Sequence, residues 1–220
     1  MTLTGRTIVV TGAAGALGKA VVGAVVAAGA RVVAVDMNES RLASLAGPGV
    51  TVRRIDLLDG LSAQESLADF EADGVAAIAG GFTMGSEAHE LTDDWEWMQD
   101  MNVTTLRHTL AALVPGMQER GGGSVVTIGA RNGLTGAGAM SAYAAAKSAV
   151  HRITESLDAE GIRANCVMPS IIDTPANRKA MPDADTSDWV STDALAALIV
   201  FLLDDASRAV RGALIPAYGR

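Results

Sequence analysis

The stretch T-G-A-A-G-A-L-G, residues 11–18, decides the fold of this 220-residue chain. An apolar run of strand length, T-I-V-V-T at Thr7–Thr11, leads into it. A segment rich in Ala and Val follows at residues 16–28, which predicts a helix closed by Gly29. A glycine-rich turn between a buried strand and a helix is typical of a nucleotide-binding βα unit.

Each glycine of this turn has a physical role in such a unit. Gly12 lets the chain turn sharply, Gly15 lets the backbone approach a pyrophosphate, and Gly18 lets the helix pack closely on the sheet. The first turn of the helix then presents free N–H groups and a positive dipole end to the phosphates. The spacing therefore predicts a dinucleotide site.

The rest of the chain alternates between strand-like and helical segments. We predict six further strands, at Arg31–Asp36, Val50–Arg54, residues 75–79, Ser124–Ile128, residues 163–168 and residues 213–216. Further helices are predicted at residues 38–45 with Asn38 as N-cap, 62–71, 92–118 with an end or kink near Pro115, Ser141–Ala159 and 193–203. This alternation predicts one doubly wound α/β domain over residues 1–220, with a seven-stranded parallel sheet and helices on both faces.

Composition narrows the class of protein. Hydrophobic residues make up 49% of the chain and charged residues 19%, which excludes a disordered chain. A net charge of −8 offers no basic face for nucleic acid, and no apolar run reaches the ~18–20 residues that span a membrane. A lone cysteine, Cys166, fits a reducing cytoplasmic location. The three histidines have no metal-ligand spacing, so no metal site is predicted.

An acidic residue at the end of the second strand indicates which dinucleotide is bound. Asp36 follows Gly18 by 18 residues and can accept hydrogen bonds from both ribose hydroxyls of an adenosine. The same carboxylate repels a 2′-phosphate, and neither Ala14 nor Met37 offers the positive charge that such a phosphate needs. The sequence therefore predicts NAD rather than NADP as cofactor.

The spacing G-x-x-x-G-x-G resembles the short-chain dehydrogenase/reductase family, whose fingerprint is T-G-x-x-x-G-x-G. Tyr143-Ala-Ala-Ala-Lys147 resembles the family's Y-x-x-x-K pair, which shares one helical face. The resemblance implies that Tyr143 donates or accepts the substrate proton, and that Lys147 lowers the pKa of the phenol and holds the nicotinamide ribose. Asn102 matches the asparagine that kinks the family's long helix and positions a water beside the lysine.

The same resemblance implies a full cofactor site, a substrate loop and an assembly. The substrate loop is expected at about residues 170–191, and a homodimer or homotetramer is expected through the helices that carry Asn102 and Tyr143. The expected cofactor-binding residues are Gly12, Ala14, Gly15, Ala16, Leu17, Gly18, Asp36, Met37, Asp56, Leu57, Ala79, Gly80, Gly81, Tyr143, Lys147, Pro169, Ile172 and Thr174.

Two departures from the family pattern concern the acceptor. Ala130 stands where the family usually has a serine, and an alanine cannot donate a hydrogen bond to a carbonyl oxygen. Either the substrate does not need that donor, or Asn132, Ser141 or Ser170 supplies it, or catalysis is weak. Similarly, the family's N-N-A-G after the fourth strand is A-I-A-G here, residues 77–80.

These departures together resemble one branch of the family, the quinonoid dihydropteridine reductases. The features are A-G-G-F at residues 79–82, the lost serine with Tyr143 and Lys147 retained, and residues 173–185 with Trp189. That branch uses NADH and reduces a quinonoid imine. The sequence thus predicts NADH-dependent hydride transfer to a quinonoid, imine-like or carbonyl acceptor. The alternatives are an alcohol dehydrogenase or ketoreductase whose serine is replaced by a neighbour, and a non-catalytic NAD-binding redox sensor.

Overall fold

A seven-stranded parallel sheet forms the centre of the computed structural model, as predicted. The model describes residues 1–85 and 87–219, so Ser86 and Arg220 of the expected domain lie outside the described residues. The strands are β1 (Thr7–Thr11), β2 (Arg31–Asp36), β3 (Val50–Arg54), β4 (Gly74–Ala77), β5 (Ser124–Ile128), β6 (Arg163–Pro169) and β9 (Leu214–Ala217). Their spatial order is β3-β2-β1-β4-β5-β6-β9, and β7 (Ile172–Asp173) pairs separately with β8 (Val190–Ser191).

Helices cover both faces of this sheet. They are α1 (Ala16–Ala27), α2 (Glu39–Ala43), α3 (Gly60–Leu67), α4 (Asp93–Gln99), α5 (Thr105–Glu119), α6 (Ser141–Ala159), α7 (Pro175–Ala180) and α8 (Thr192–Leu203). One core lies under α1 and α8, around Val21 and Ile199, and the other lies under α3, α5 and α6, around Leu67 and Met117. Within the described residues, no helix is both long enough and apolar enough to cross a membrane.

The strand order reverses between β1 and β4, which opens a crevice at the carboxyl ends of these two strands. The predicted fourth strand, residues 75–79, is shorter than expected because its last residues bend into this crevice. Thr11 Oγ1 accepts hydrogen bonds from the backbone N–H groups of Ile78 and Ala79 at 3.1 and 3.2 Å. The end of β4 is therefore attached to the glycine turn.

The predicted helix over residues 92–118 differs from the structure in its interior and at Pro115. A five-residue π-helical turn, Asp100–Thr104, joins α4 to α5, and the helix continues through Pro115 to Glu119. Leu113 and Met117 are buried on either side of the proline, so tertiary packing keeps the chain helical where the sequence predicted an end or a kink.

The predicted polar loop at residues 170–191 contains regular structure. Thr174 caps α7, since its Oγ1 accepts the N–H of Asn177 at 3.1 Å, and Pro175 occupies the first helical position. Asp173 pairs with Arg178 through two hydrogen bonds. The capping signal Thr-Pro was present in the sequence, but the six-residue helix is too short to give a periodic pattern.

The remaining boundaries differ from the predictions by a few residues at most. The side chain of Asn38 accepts the N–H of Arg41, which confirms the predicted cap of α2. Asp59 caps α3 in the same way, so that helix begins and ends earlier than the predicted residues 62–71. Gly29 has a φ of +90° directly after α1, in agreement with its predicted role as a helix terminator.

Candidate active site

The glycine turn is closed sterically at Gly12 and Gly18, where there is no space for a Cβ. Gly12 has a φ of +62°, and a Cβ placed there would lie 2.9 Å from the backbone of Ala79. A Cβ on Gly18 would lie 2.1 Å from the carbonyl oxygen of Gly12 and 2.7 Å from Cα of Ala13. The turn therefore holds α1 directly against the end of β1, with its first N–H groups facing the crevice.

The N-terminus of α1 has the character of a phosphate cradle. Gly15 is its N-cap and forms no side-chain hydrogen bond, so the first N–H groups of the helix receive no side-chain cap. No acidic residue stands in the first turn. Unpaired N–H groups at a helix N-terminus bind anions, and a dinucleotide's pyrophosphate therefore fits the residues present here.

Asp36 lies beside this cradle and is held in place by the backbone. One carboxylate oxygen accepts the N–H of Ala14 at 3.0 Å, and the other accepts the N–H of Asn38 at 2.9 Å. These bonds fix the negative charge at the position where the sequence places the adenosine ribose. Asp56 lines the same crevice and accepts the N–H of Leu58 at 2.9 Å.

One large cavity of about 900 Å³ occupies the crevice, and most of the predicted cofactor residues line it. These are Gly12, Ala14, Gly15, Ala16, Leu17, Gly18, Asp36, Met37, Asp56, Leu57, Ala79, Gly80, Ile172 and Thr174. The predicted residues Gly81, Asn102, Tyr143, Lys147 and Pro169 do not line it. The sequence reasoning missed Lys19, Arg41, Ile55, Leu58, Ile78, Met101, Thr105, Ile128, Pro175 and Ala176.

Two of the missed residues, Ile78 and Ile128, had a signal in the sequence. Ile78 and Ile128 lie at or just beyond the carboxyl ends of neighbouring parallel strands, where ligands of this architecture bind. Met101 and Thr105 belong to the turn around Asn102, whose π-helical geometry brings them to the crevice. Nothing in the periodicity of the long helix indicated that turn.

Gly80 is the point at which the cavity meets the predicted catalytic residues. A Cβ placed on Gly80 would lie 2.8 Å from Asn102 Oδ1 and 3.6 Å from Lys147 Nζ. Lys147 Nζ lies 5.8 Å from the ring centroid of Tyr143 on the same helix. The structure therefore brings Asn102, Tyr143 and Lys147 together beside the cavity, although their side chains are not part of its lining.

Asn102 is buried in the π-helical turn and holds the segment after β4. Its amide nitrogen donates to the carbonyls of Gly81 and Met98, each at 3.0 Å, and its Oδ1 accepts the N–H of Gly81 at 3.3 Å. The extra residue of a π turn frees a backbone position of the helix, as is frequent at functional sites. The irregularity that the sequence resemblance placed at Asn102 is therefore a π turn.

Burial dominates the electrostatics of the pair on α6. It lowers the pKa of Lys147 to about 8, while the carbonyl of Ile128 accepts a hydrogen bond from Nζ at 2.8 Å. It also raises the pKa of Tyr143 to about 12. The expected lowering of the phenol's pKa by Lys147 is therefore not seen, because the desolvation of Tyr143 acts in the opposite direction. At neutral pH the phenol is protonated and the ammonium is charged.

The position of the missing serine is buried and occupied by the methyl group of Ala130. All three candidate replacement donors, Asn132, Ser141 and Ser170, have interactions with other groups. Ser170 Oγ donates to the carbonyl of Tyr218 at 2.8 Å, and the side-chain amide of Asn132 lies 3.0 Å from the sulfur of Met140. Ser141 is the first residue of α6, two positions before Tyr143.

His151 contacts the backbone at Ala130, a structural role that the sequence did not reveal. It lies two turns after Tyr143 on α6, and its Nε2 accepts the N–H of Ala130 at 3.4 Å. A Cβ on Gly129 would lie 2.3 Å from the same nitrogen, so the glycine is required there. Within the described part of the chain, no group of three or more His, Cys, Asp or Glu side chains is arranged to hold a metal ion.

Comparison with known proteins gives consistent results. A family model described as short chain dehydrogenase matches residues 6–185. The chain is 28% identical to dehydrogenase/reductase SDR family member 6 of Rattus norvegicus, over 96% of this chain and 94% of that protein. It is 30% identical to D-threitol dehydrogenase of Mycolicibacterium smegmatis, over 96% and 90%.

A solved structure resembles the chain over nearly its whole length. It is described as an NAD(P)-dependent gluconate 5-dehydrogenase from Beutenbergia cavernae with NADP bound at low occupancy. The TM-score is 0.89 at 26% sequence identity, covering 99% of this chain and 97% of that one.

Proposed function

The chain belongs to the short-chain dehydrogenase/reductase family, and from this premise we propose that it is an NADH-dependent reductase of a quinonoid, imine-like or carbonyl acceptor. The family is one of NAD(P)-dependent oxidoreductases. The observation that carries the proposal is the junction at Gly80, where the phosphate cradle and its cavity meet Asn102 and Lys147. When bound, the nicotinamide supplies the hydride.

The glycine turn and Asp36 support NADH as the cofactor. The cradle has the steric closure and the free N–H groups that a pyrophosphate needs, and the fixed carboxylate of Asp36 would repel the 2′-phosphate of NADP. Because Arg41 also lines the cavity, NADP is the competitor to be measured. The proposed cofactor residues are those expected from the sequence, including Gly81, Tyr143, Lys147 and Pro169 at the nicotinamide end.

Tyr143 is the proposed proton donor. Burial raises the pKa of the phenol to about 12, so it is protonated in the neutral range but is a weak acid without a group that stabilises its phenolate. The charged ammonium of Lys147 lies beside it and stabilises the phenolate that remains after the proton has left. Asn102 fixes the backbone next to the lysine, so we assign it the support of the proton relay.

The absence of a hydroxyl at Ala130 supports an acceptor that needs no oxyanion donor. A quinonoid or imine-like acceptor delocalises the charge that the hydride brings, whereas a simple carbonyl concentrates it on one oxygen. Ser170 and Asn132 are engaged elsewhere, which is consistent with the quinonoid dihydropteridine reductase-like reading. We therefore propose quinonoid dihydropterin as the first substrate to test.

The decisive experiment compares Tyr143→Phe with the native protein. We expect loss of turnover by about 10²–10⁴-fold with NADH binding intact, because proton transfer from a positioned side chain contributes that much. NADH oxidation is followed with quinonoid dihydropterin, quinones, aldehydes and ketones. The proposal is overturned if the native protein oxidises neither NADH nor NADPH with any of them.

The second candidate is an alcohol dehydrogenase or ketoreductase, which the name of the D-threitol relative favours. Ala130→Ser discriminates between the two, since it restores the donor at a buried position with little added volume. Carbonyl reduction rises in this variant if carbonyl chemistry is native, and reduction of quinonoid acceptors stays nearly unchanged. A non-catalytic redox sensor would bind NADH, turn nothing over and respond to neither Tyr143→Phe nor Ala130→Ser.

We further propose a homodimer or homotetramer through the helices that carry Asn102 and Tyr143. α6 presents many alanines, which permit close helix packing. A reducing cytoplasmic location is proposed from the single buried cysteine. Light scattering of the purified protein tests the assembly, and a monomer at micromolar concentration would contradict it.

A further inference from the structure

Aromatic residues are scarce in this chain, yet three of them meet at the proposed catalytic site. The chain has 3 Trp, 2 Tyr and 3 Phe. Phe82 packs edge-on against Tyr143, with ring centroids 4.9 Å apart at 83°. The ring of Trp97 lies against the backbone of Gly81, where an added Cβ would approach Trp97 Cη2 to 2.6 Å. Phe82, Trp97 and Tyr143 are called the aromatic cluster below.

Core packing does not explain two members of this cluster. Phe82 is 52% exposed and Trp97 is 43% exposed, whereas the buried members of the two large cores are aliphatic side chains together with Met and Cys. Exposed aromatic rings next to a reactive group are typical of ligand sites, where they offer flat apolar area. Phe82 connects Tyr143 to Trp97. Its ring contacts that of Tyr143, and it lines a cavity together with Trp97.

That cavity is a shallow, open depression of about 450 Å³, lined by Phe82, Thr83, Asp93, Asp94 and Trp97. Its polar groups limit the ligands that it accepts. Two carboxylates repel an anionic ligand, and no basic side chain belongs to the lining. The carboxylates accept hydrogen bonds from hydroxyls, so a polyol is the competitor to be measured, but Phe82 and Trp97 offer apolar area that only a ring covers well.

We propose that the substrate carries a flat, neutral or cationic ring that packs against Phe82 and Trp97 while its reacting carbon lies at Tyr143. This rests on the proposed function and specifies its substrate class. It disfavours two substrate classes that the names of similar proteins suggest, the open-chain polyol of the D-threitol dehydrogenase and the sugar acid of the gluconate 5-dehydrogenase. Phe82 and Trp97 are thereby specificity-determining residues rather than parts of the proton relay.

The test measures ring binding apart from turnover. Isothermal titration calorimetry with NAD⁺ present, so that no hydride transfer occurs, compares 2-tetralone as the ring probe with erythrulose as the polyol ketone and gluconate as the anion. We expect saturable binding of 2-tetralone and at least tenfold weaker binding of erythrulose and gluconate.

Matched variants assign the binding to the aromatic cluster. Phe82→Ala and Trp97→Ala should each weaken 2-tetralone binding about tenfold, the loss of roughly one aromatic contact. Phe82→Leu keeps the apolar volume without the ring, so its affinity for 2-tetralone should lie between those of the alanine variants and the native protein. Trp95→Ala is the control, because Trp95 lies on the same helix, is 45% exposed and is absent from the cavity lining.

The outcomes separate this proposal from the function on which it rests. Tighter binding of erythrulose or gluconate than of 2-tetralone overturns the ring class, while loss of turnover in Tyr143→Phe would still support the reductase. If Phe82→Ala and Trp97→Ala alter the oligomeric state by light scattering but not the affinity for 2-tetralone, the cluster is a contact between copies and the proposal is wrong. If ring compounds bind as expected but accept no hydride, the proposed function fails and the ring site stands.

Discussion

The two halves of the crevice are built on different principles. Around β1, α1 and β2 the ligand-facing groups are backbone N–H groups and glycines, with Asp36 as the main charged side chain. Around the ends of β4 and β5 the site consists of side chains, including Tyr143, Lys147 and Phe82. A site built from backbone can be predicted from residue spacing, because its close contacts leave room only for glycine at certain positions. A side-chain site depends on which groups tertiary packing brings together.

Gly18→Ala is the strongest test of the backbone half. The added methyl would lie 2.1 Å from the carbonyl oxygen of Gly12, so we expect a loss of about 3 kcal/mol in the free energy of unfolding and loss of NADH binding. Gly23→Ala in the same helix is the matched control, since a Cβ there meets nothing within 4 Å. It should gain about 0.5–1 kcal/mol. Equal thermal unfolding of the two variants would show that the turn is not sterically closed.

In the side-chain half, the rate of reduction should depend on the charge of Lys147. Its pKa is lowered to about 8 by burial, so the ammonium is present below that pH and is lost above it. We expect the NADH-linked rate to fall about tenfold per pH unit beyond pH 8. In Lys147→Arg the guanidinium keeps its charge, and whatever activity remains should not show this fall. A native rate that stays constant up to about pH 10 would remove Lys147 from the relay.

Asp36→Asn tests the main side-chain charge of the backbone half. Removing a carboxylate next to the 2′-position should shift the preference for NADH over NADPH by about thirtyfold toward NADPH, roughly 2 kcal/mol. The ratio of the two dissociation constants, measured by fluorescence of the bound nicotinamide, gives the answer. Asp56→Asn, in the same cavity, is expected to leave that ratio within about twofold. An equal change of that ratio in both variants would indicate that the overall negative charge of the cavity, rather than a specific contact of Asp36, sets the preference.

The smallest effect is expected at Ala139, a residue with a strained backbone just before α6. Ala139 has a φ of +57°, a left-handed conformation that is unfavourable for a residue with a Cβ, and its carbonyl accepts the N–H of Gly85 at 2.9 Å. Ala139→Gly should therefore stabilise the protein by about 0.5–1 kcal/mol with no change in cofactor affinity. Chemical denaturation measures this. A loss of stability would mean that the conformation costs little in this loop.

The sequence was sufficient for most of the backbone half. The alternation of apolar strands and helices predicted the seven-stranded sheet, and the glycine spacing with Asp36 predicted a dinucleotide site. The family resemblance then implied 14 of the 24 residues that line the cavity. Sequence patterns failed where a local signal was weak or absent. The helix at Pro175–Ala180 is too short to be periodic, and the long helix passes through Pro115 because buried neighbours hold it.

In the side-chain half the sequence indicated the proposed reacting residues but not their electrostatics. Tyr143 and Lys147 were recognisable from their spacing, yet the direction of the phenol's pKa shift follows from its burial, which no spacing reveals. The position of Phe82 against Tyr143 likewise joins residues 61 positions apart in the chain.

The sequence by itself determined the order of elements, the glycine turn and the spacing of the proposed catalytic pair, because each depends on neighbours within a few residues. Only the tertiary structure decided which side chains surround that pair. The π turn at Asn102, the engagement of Ser170 with the carbonyl of Tyr218 and the aromatic cluster all arise from contacts between distant segments. Such contacts form because burying apolar surface is cooperative over the whole chain, and the pattern of any one segment does not specify its partners.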